Sequence, residues 1–259
     1  MDVDLLEGPA GADPALDVAL PHALLELVAE RRRPRPVLRH YRPRPTVAFG
    51  RRDVFLDGFH DAVAAARRHG FAPVIRGAGG RAAAYHEGCL IFDEIMPAKH
   101  TIGGIRERFA ADARRQCDAL RSLGVDARVG EVTGEYCPGE FSVNARGRVK
   151  LIGAAERIIR GGWLHSSVVV AESAAPIKSV LVDVYAALGL EWDPETTGAV
   201  ADEAPGVGLH EVRRALLAAY ETRYRLTPTS LTPADLTRAG ELLARHRVDL
   251  QFRWRPAPG

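Results

Sequence analysis

The sequence predicts an α+β fold. Strand-like segments gather in the first two thirds of its 259 residues, helical patterns fill the last third, and several strands follow one another with no helix between them. Spacings that short suit hairpins, whereas a doubly wound parallel sheet needs a helical crossover between strands. Apolar residues make up 46% and charged residues 26%, which excludes a disordered, collagen-like or coiled-coil chain. The length suits one or two domains and supplies a sizeable core with no metal or disulfide staple.

Taken in order, residues 15–31 carry apolar side chains at near-helical spacing, with Pro21 interrupting the pattern. Pro45 to Gly50 reads as a short buried strand. In the next helix Phe59, Ala62, Val63 and Ala66 share one face, and Gly70 sits where a left-handed C-terminal cap belongs. FAPVIR is a strand that runs into the glycine turn GAGGR, and AAAYHEGCLIFDEI supplies two more extended segments. The clearest helix covers 102–123, where Ile102, Ile105, Phe109, Ala113, Cys117 and Leu120 recur every three or four residues and Gly124 stops it. VDARV is a short strand. GEFSVNARGRVKLIGAA reads as a hairpin turning at residues 144–147, and HSSVVVA as one more buried strand. Helical patterns then cover 176–190, 209–224 and 232–247, the last with Thr232 as N-cap and Pro233 in the first turn. An acidic Pro/Gly-rich loop, 193–208, separates the first two.

The net charge of +2 conceals two asymmetries. Only three of the 35 basic residues are lysines, Lys99, Lys150 and Lys178, so each surviving lysine draws notice. Residues 31–52 hold nine arginines and no acid. That segment reads either as a solvated Pro/Arg-rich connection or as a docking surface for an acidic partner. Nucleic acid is disfavoured, because no aromatic interleaving or nucleic-acid motif accompanies the charge. No apolar run reaches the ~18 residues of a membrane helix, and the acidic start MDVDLLEG shows no secretory leader. Cys89, Cys117 and Cys137 are too few for a disulfide framework and lack zinc spacing. The expected compartment is therefore the cytoplasm, with no membrane and no metal.

Three constellations could carry chemistry. In IRGAGGRAAAYHEG the glycines Gly77, Gly79 and Gly80 let backbone approach a ligand closely, although a purely structural turn explains them equally well. No Gly-Lys-Ser/Thr follows, and the next segment is extended, so neither a P-loop nor a dinucleotide fingerprint is present. In GEYCPGEFSVNARGRVKLIGAA, Cys137 stands on a Pro-Gly loop, with Lys150 on the second hairpin arm. A cation near a thiol lowers its pKa and stabilises an oxyanion; the bland reading is a free cysteine in a turn and a solvent-facing lysine. His165, at a strand start, and His86 read as hydrogen-bonded structural histidines or as site residues.

Together these segments resemble the lipoate–protein ligase and octanoyltransferase family, whose fold is shared with biotin–protein ligases. DPALDVALPHALLE resembles the family's first helix, PTVAFGRRD its first strand and turn, and HGFAPVIRGAGGRAAAYHEGCLIFDEI its acyl-binding glycine motif. GRVKLIGAAERI resembles the lysine motif, with Lys150 as its lysine and Gly153 as its glycine; LHSSVVV resembles the following strand. EYCPGEF resembles the cysteine loop of the octanoyltransferase and amidotransferase branch, which the ATP-dependent ligases do not need. The chain departs from the family pattern at Arg76-Gly77-Ala78, at Leu90–Asp93 and at Glu156.

The resemblance implies a mixed, largely antiparallel sheet flanked by helices, as one catalytic domain over 1–259 with 172–259 a helical C-terminal extension. It implies an acyltransferase that moves an octanoyl or lipoyl group from a carrier to a lysine of a lipoyl domain through a Cys137 thioester. Cys137 and Lys150 are the implied catalytic residues. Arg76, Gly79, Gly80, Arg81, Tyr85, His86, Gly153, Ala154 and His165 are the implied substrate-binding residues. The donor is an acyl carrier protein or glycine cleavage H protein, and the acceptors are lipoyl domains of 2-oxoacid dehydrogenase complexes. A monomer without cofactor is expected. The alternatives are an ATP-dependent lipoate–protein ligase, which alone brings in ATP and Mg, and a non-catalytic binder of lipoyl domains or of an acyl ligand.

Overall fold

The computed structural model describes residues 1–9, 11–98 and 104–248. Its strands are β1 (Asp2–Glu7), β2 (Val37–Tyr41), β3 (Thr46–Phe49), β4 (Ala72–Ile75), β5 (Ala83–Tyr85), β6 (Cys89–Pro97), β7 (Ala127–Val129), β8 (Val143–Ala145), β9 (Val149–Ile159), β10 (Gly162–Val170) and β11 (Arg225–Thr229). The helices are α1 (Pro14–Ala29), α2 (Phe59–Arg68), α3 (Ile105–Arg121), α4 (Ala175–Leu188), α5 (Val200–Glu203), α6 (Leu209–Glu221) and α7 (Pro233–Leu242). Eight strands form one sheet in the order β11-β1-β2-β6-β10-β9-β8-β7, and β4-β3-β5 form a second. Pairing is antiparallel except at β1/β11, β1/β2 and β3/β4, which gives the mixed, largely antiparallel α+β architecture expected.

Burial explains the layering. Helix α1 starts at Asp13, whose carboxylate accepts from Ala15 N–H at 2.9 Å. It is buried on almost every face, since its apolar residues ring the whole helix, and it tolerates Pro21. Packed under α1 and α7, the main sheet carries one apolar cluster that includes Leu20, Leu24, Ile95 and Leu164. The second sheet, α2 and α4 enclose another, with Phe49, Val74, Leu181 and Tyr185. A third fills the opposite face of the main sheet beneath α3 and α6, with Phe92, Cys117, Leu151 and Tyr220.

The structure corrects the reading of residues 31–52. This segment contains β2, buried along its whole length inside the main sheet. Arg39 is fully buried, paired with Asp17 and with Asp93. Arg33 is buried against Asp235 at 2.5 Å and Asp4 at 3.2 Å. Neither is a solvated charge, because each meets carboxylates supplied from elsewhere in the chain.

Other elements shift. The hairpin turn is centred on Arg146 and Gly147, both left-handed (φ 56° and 71°), one step later than expected. β9 and β10 are longer than read and pair with each other. In α3 the stripe from Ala113 to Leu120 is buried, whereas Ile105 is 42% exposed; Ile102 and Lys99 lie outside the described residues. The part after residue 172 is not merely a helical layer packed on the rest. β11 is a strand of the main sheet, parallel to β1, and α4 reaches into the site described next.

Candidate active site

The loop from β7 to β8 is organised by a buried acid. Backbone donors in a tight loop need acceptors, and the Glu135 carboxylate accepts from Val132 N–H at 3.2 Å, Gly139 N–H at 2.9 Å and Ser142 Oγ at 2.6 Å. Lys150, on β9, neutralises it: Nζ donates to Glu135 Oε1 at 3.1 Å, to Tyr136 O at 3.1 Å and to Cys137 O at 2.9 Å. All three ammonium protons are thereby used. Clamped from below, Cys137 adopts φ +42°, a left-handed conformation rare for a side chain of its kind and characteristic of functional turns.

This twist turns the thiol towards the glycine loop. Cys137 Sγ accepts from Arg76 Nη2 at 3.3 Å and from Arg81 N–H at 3.2 Å. Cys137 N–H donates to Tyr185 Oη at 2.8 Å, and Tyr185 Oη donates to Ala82 O at 2.9 Å, so α4 fixes the loop from the other side. The Arg81 guanidinium is held by Asp53 at 3.2 Å, whose other oxygen accepts from Gly50 N–H at 2.8 Å. Close approach requires Gly80 to lack a side chain: a Cβ there would lie 2.5 Å from Arg76 Nη2 and 2.8 Å from Cys137 Sγ.

Electrostatics single out this cysteine. Burial alone would push the Cys137 thiol up, but the charges of Arg76 and Lys150 and the hydrogen bonds from Arg76 and Arg81 N–H outweigh it and hold the thiol below its ordinary value. Burial pushes Cys89 up to about 12 and raises Cys117. Of the three, Cys137 alone is held below its ordinary value.

The thiol opens on a cavity of about 710 Å³. Its walls include Val18, Pro21, Ala84, Ile91, Leu164 and Val168, and its rim includes Ile105, Phe109 and Phe141. The partly exposed Ile105 thus belongs to the cavity as well as to its helix. Apolar walls with a few polar groups at one end suit an elongated acyl ligand.

The structure gathers most of the residues named from sequence. Arg76, Gly79, Gly80, Tyr85, Cys137, Lys150, Gly153 and Ala154 all line this cavity, and Arg81 touches the thiol. His86 and His165 are the exceptions: neither lines the cavity. His86 bonds Ser173 O at 2.8 Å and Gly88 N–H at 3.0 Å, so it staples a turn. His165 faces the other side of the sheet, with Nε2 3.0 Å from Asp112 Oδ2, and supports the Phe109 ring edge-on. Alternation along β10 explains this, since Leu164 and Ser166 face the cavity. Sequence reading missed Glu135, Asp53 and Tyr185. Glu135 adjoins the cysteine loop, where the need for an acceptor is a usable signal; Tyr185 lies in an apolar helical pattern and gives none.

Comparison with known proteins agrees with this geometry. Residues 13–219 match the family model described as the lipoyl protein ligase A/B catalytic domain. Over 162 residues, covering 62% of this chain and 56% of the relative, the sequence is 27% identical to an octanoyl-GcvH:protein N-octanoyltransferase of Geobacillus kaustophilus. To the protein of that name from Exiguobacterium sibiricum it is 28% identical over 221 residues, 77% of either chain. The match therefore spans little more than half of the first relative's own length. Among solved structures, a T. acidophilum protein described as a lipoate protein ligase, with bound lipoic acid, superposes with a TM-score of 0.74 at 22% identity, covering 95% of this chain and 96% of that one. A lipoate-protein ligase A bound with ATP gives 0.73 at 23% identity, covering 95% of each chain. These structures share the fold, and the cysteine loop, glycine loop and lysine strand all fall inside the matched residues. By that match, the chain belongs to the lipoyl protein ligase A/B catalytic domain family.

Proposed function

We propose that the protein is an acyltransferase that moves an octanoyl or lipoyl group from a carrier protein to a lysine of a lipoyl domain through a thioester on Cys137. One observation carries this reading: a thiol held below its ordinary pKa stands at the mouth of a largely apolar cavity of about 710 Å³. A ligase activates a free acid with ATP and has no use for such an activated thiol. A mere binder has no use for the three groups trained on Cys137, namely Arg76, Arg81 N–H and Lys150. The names of the relatives support octanoyl-GcvH as donor; an acyl carrier protein is the other donor chemistry that fits a thioester exchange.

In the first half-reaction the Cys137 thiolate attacks the carrier-bound acyl carbonyl. The carbon–heteroatom bond to the carrier breaks, and the leaving thiol or amine takes a proton. In the second, the neutral ε-amine of the acceptor lysine attacks the thioester, releases the Cys137 thiolate and loses a proton. The geometry revises the part first given to Lys150. Its three protons are bound to Glu135, Tyr136 O and Cys137 O, so it shapes the loop and supplies charge. Arg76 Nη2 and Arg81 N–H, which cradle the sulfur, are the donors beside a carbonyl once Sγ carries it, and they take the oxyanion role.

The acidic face of a carrier or lipoyl domain is the expected partner surface, and the cytoplasm the expected place. No described helix is long and apolar enough to cross a membrane. Intact mass after incubation with octanoyl-carrier tests the proposal. One octanoyl group should be gained by the wild type and not by Cys137→Ala; an equal gain in both, or none in either, overturns it.

A further inference from the structure

Strand β9 is paired on only one side for most of its length. β10 accompanies it from Ile152 to Ile159, whereas β8 reaches no further along it than Ile152. The chain that would continue β8 backwards, residues 138–142, peels away into the cysteine loop. Glu135 holds it there through Gly139 N–H and Ser142 Oγ. Among the described residues no strand lies beside 153–159 on that edge, and all seven of these residues are half-exposed.

Register fixes which main-chain groups face outwards. Ala98 N–H donates to Gly161 O at 2.9 Å, so Gly161 faces β6, and its neighbour Gly162 faces β9 opposite Ile159. Alternation then turns Ala154, Glu156 and Ile158 away from β10, each with an N–H and a C=O. Among the described residues no hydrogen bond meets these groups. All three residues line the cavity, as do Pro138, Gly139 and Phe141 of the cysteine loop. The edge begins close to the thiol centre: a Cβ on Gly153 would lie 3.4 Å from Lys150 Nζ, which itself donates to Cys137 O at 2.9 Å.

A lysine side chain reaches only roughly 6 Å from Cα to Nζ, five bonds of ~1.5 Å in a zigzag. The main chain that presents a lysine to Cys137 must therefore pass beside the cysteine loop, where the β9 edge lies. N–H and C=O pairs on every second residue, ~6.8 Å apart, match another extended chain along its length. The cations at this edge, Arg106 and Arg108, are tied to Glu140 and Glu156, so the strip is near neutral and favours main chain over phosphate. Resting on the acyl-transfer reading above, we propose that the open edge of β9 binds the protein substrate. The chain flanking its reactive lysine adds to the main sheet as an extended strand along Ala154, Glu156 and Ile158.

The experiment titrates ligands calorimetrically into Cys137→Ala, so that no transfer intervenes. The probe is acetyl-Thr-Val-Lys-Val-Thr-amide octanoylated on the lysine Nε, compared with Nα-acetyl-Nε-octanoyl-lysine methylamide. The peptide should bind about tenfold more tightly, as expected for two added modest hydrogen bonds. Main-chain N-methylation then reads the strand. Methylating both valines, or the lysine and both threonines, should remove that advantage in one case and leave most of it in the other, since alternate residues face β9. A peptide that binds no better than the single residue, or that responds equally to both methylation patterns, overturns the proposal. So does a dimer of the free protein that sedimentation shows the peptide cannot dissociate, which would put a second copy on the edge. Failure of both ligands to bind overturns it together with the acyl-site reading. Alternating sensitivity in a protein whose wild type forms no acyl-enzyme upholds this inference and sinks the transfer reaction alone.

Discussion

Arg76 Nη2 lies 3.3 Å from Cys137 Sγ although 61 residues separate the two in sequence. The guanidinium comes from the end of β4, the sulfur from the loop before β8, and Gly80 keeps the space between them open. This contact makes Cys137 the reactive thiol of the chain. Alkylation at neutral pH should label Cys137 well before Cys89 or Cys117. In Arg76→Gln the pH profile of alkylation should move upward and acyl-enzyme formation should slow about ten- to hundredfold, the worth of one charge-assisted hydrogen bond. Peptide mapping and stopped-flow alkylation check both. Preferential labelling of Cys89 would contradict the assignment.

Lys150→Arg should lose at least about a hundredfold in transfer rate although charge is kept, since a planar fork cannot place three donors on Glu135, Tyr136 O and Cys137 O at once. Lys150→Met should cost more in stability, about 3–5 kcal/mol, because it strands the buried Glu135 carboxylate. Transfer kinetics and chemical denaturation of the two variants separate the effects. An arginine variant within about threefold of wild type in transfer rate would make Lys150 a simple charge.

Gly80→Ala should abolish most activity while unfolding close to wild type. The added methyl meets the Arg76–Cys137 contact head-on, and φ +97° adds strain of only about 1–2 kcal/mol. Melting temperature and acyl-enzyme yield, measured on one sample, test the contrast.

Arg33→Glu should destabilise the fold by about 3–5 kcal/mol, because it sets a third acid against Asp4 and Asp235 in a buried site. Reversal of Arg31 and Arg32, which are exposed, should leave stability nearly unchanged. Denaturation midpoints of the separate variants decide this. A docking test built on all three arginines would confuse unfolding with lost encounter.

The His165–Asp112 pair sets a pH window. Asp112 raises His165 against the opposing effect of burial, so its contribution is fully present below the ordinary histidine value and is lost as pH rises through the raised one. Asp112 is held low against burial, chiefly by His165, so its contribution is present above the ordinary carboxylate value and fades only as pH falls through the lowered one. The melting-temperature advantage of wild type over His165→Gln should therefore be greatest at about pH 5 to 6 and shrink on the alkaline side. An advantage flat from pH 5 to about 9 would mean that packing against Phe109, not charge, is what His165 supplies.

How legible the site was follows from distance along the chain. Cys137, Lys150 and the glycine turn were readable because each sits in a short motif whose turn and strand chemistry is local. Arg39 and Arg33 read as part of a solvated connection or a docking surface because the acids they meet are remote in sequence; Asp17, Asp93, Asp4 and Asp235 arrive only on folding. His165 was misplaced by one step of strand alternation, which sequence leaves open until the neighbouring layer is known. Tyr185 was invisible because its helix reads as ordinary apolar packing, and its hydroxyl meets Cys137 N–H only through tertiary structure.

The pairing of β1 with β11 bears on how the chain reaches its final form. Both strands lie outside residues 13–219, and they join segments more than two hundred residues apart in one parallel ladder. During synthesis β1 can pair with β2 soon after both are made, but its other edge waits for β11, which lies far along the chain. Its open edge is meanwhile a template for adhesion between nascent chains. Contacts of such long sequence separation also slow folding. Cutting the chain back to the matched residues would remove both strands and bare β2 instead, exposing a short but fully buried strand whose outer neighbour is gone.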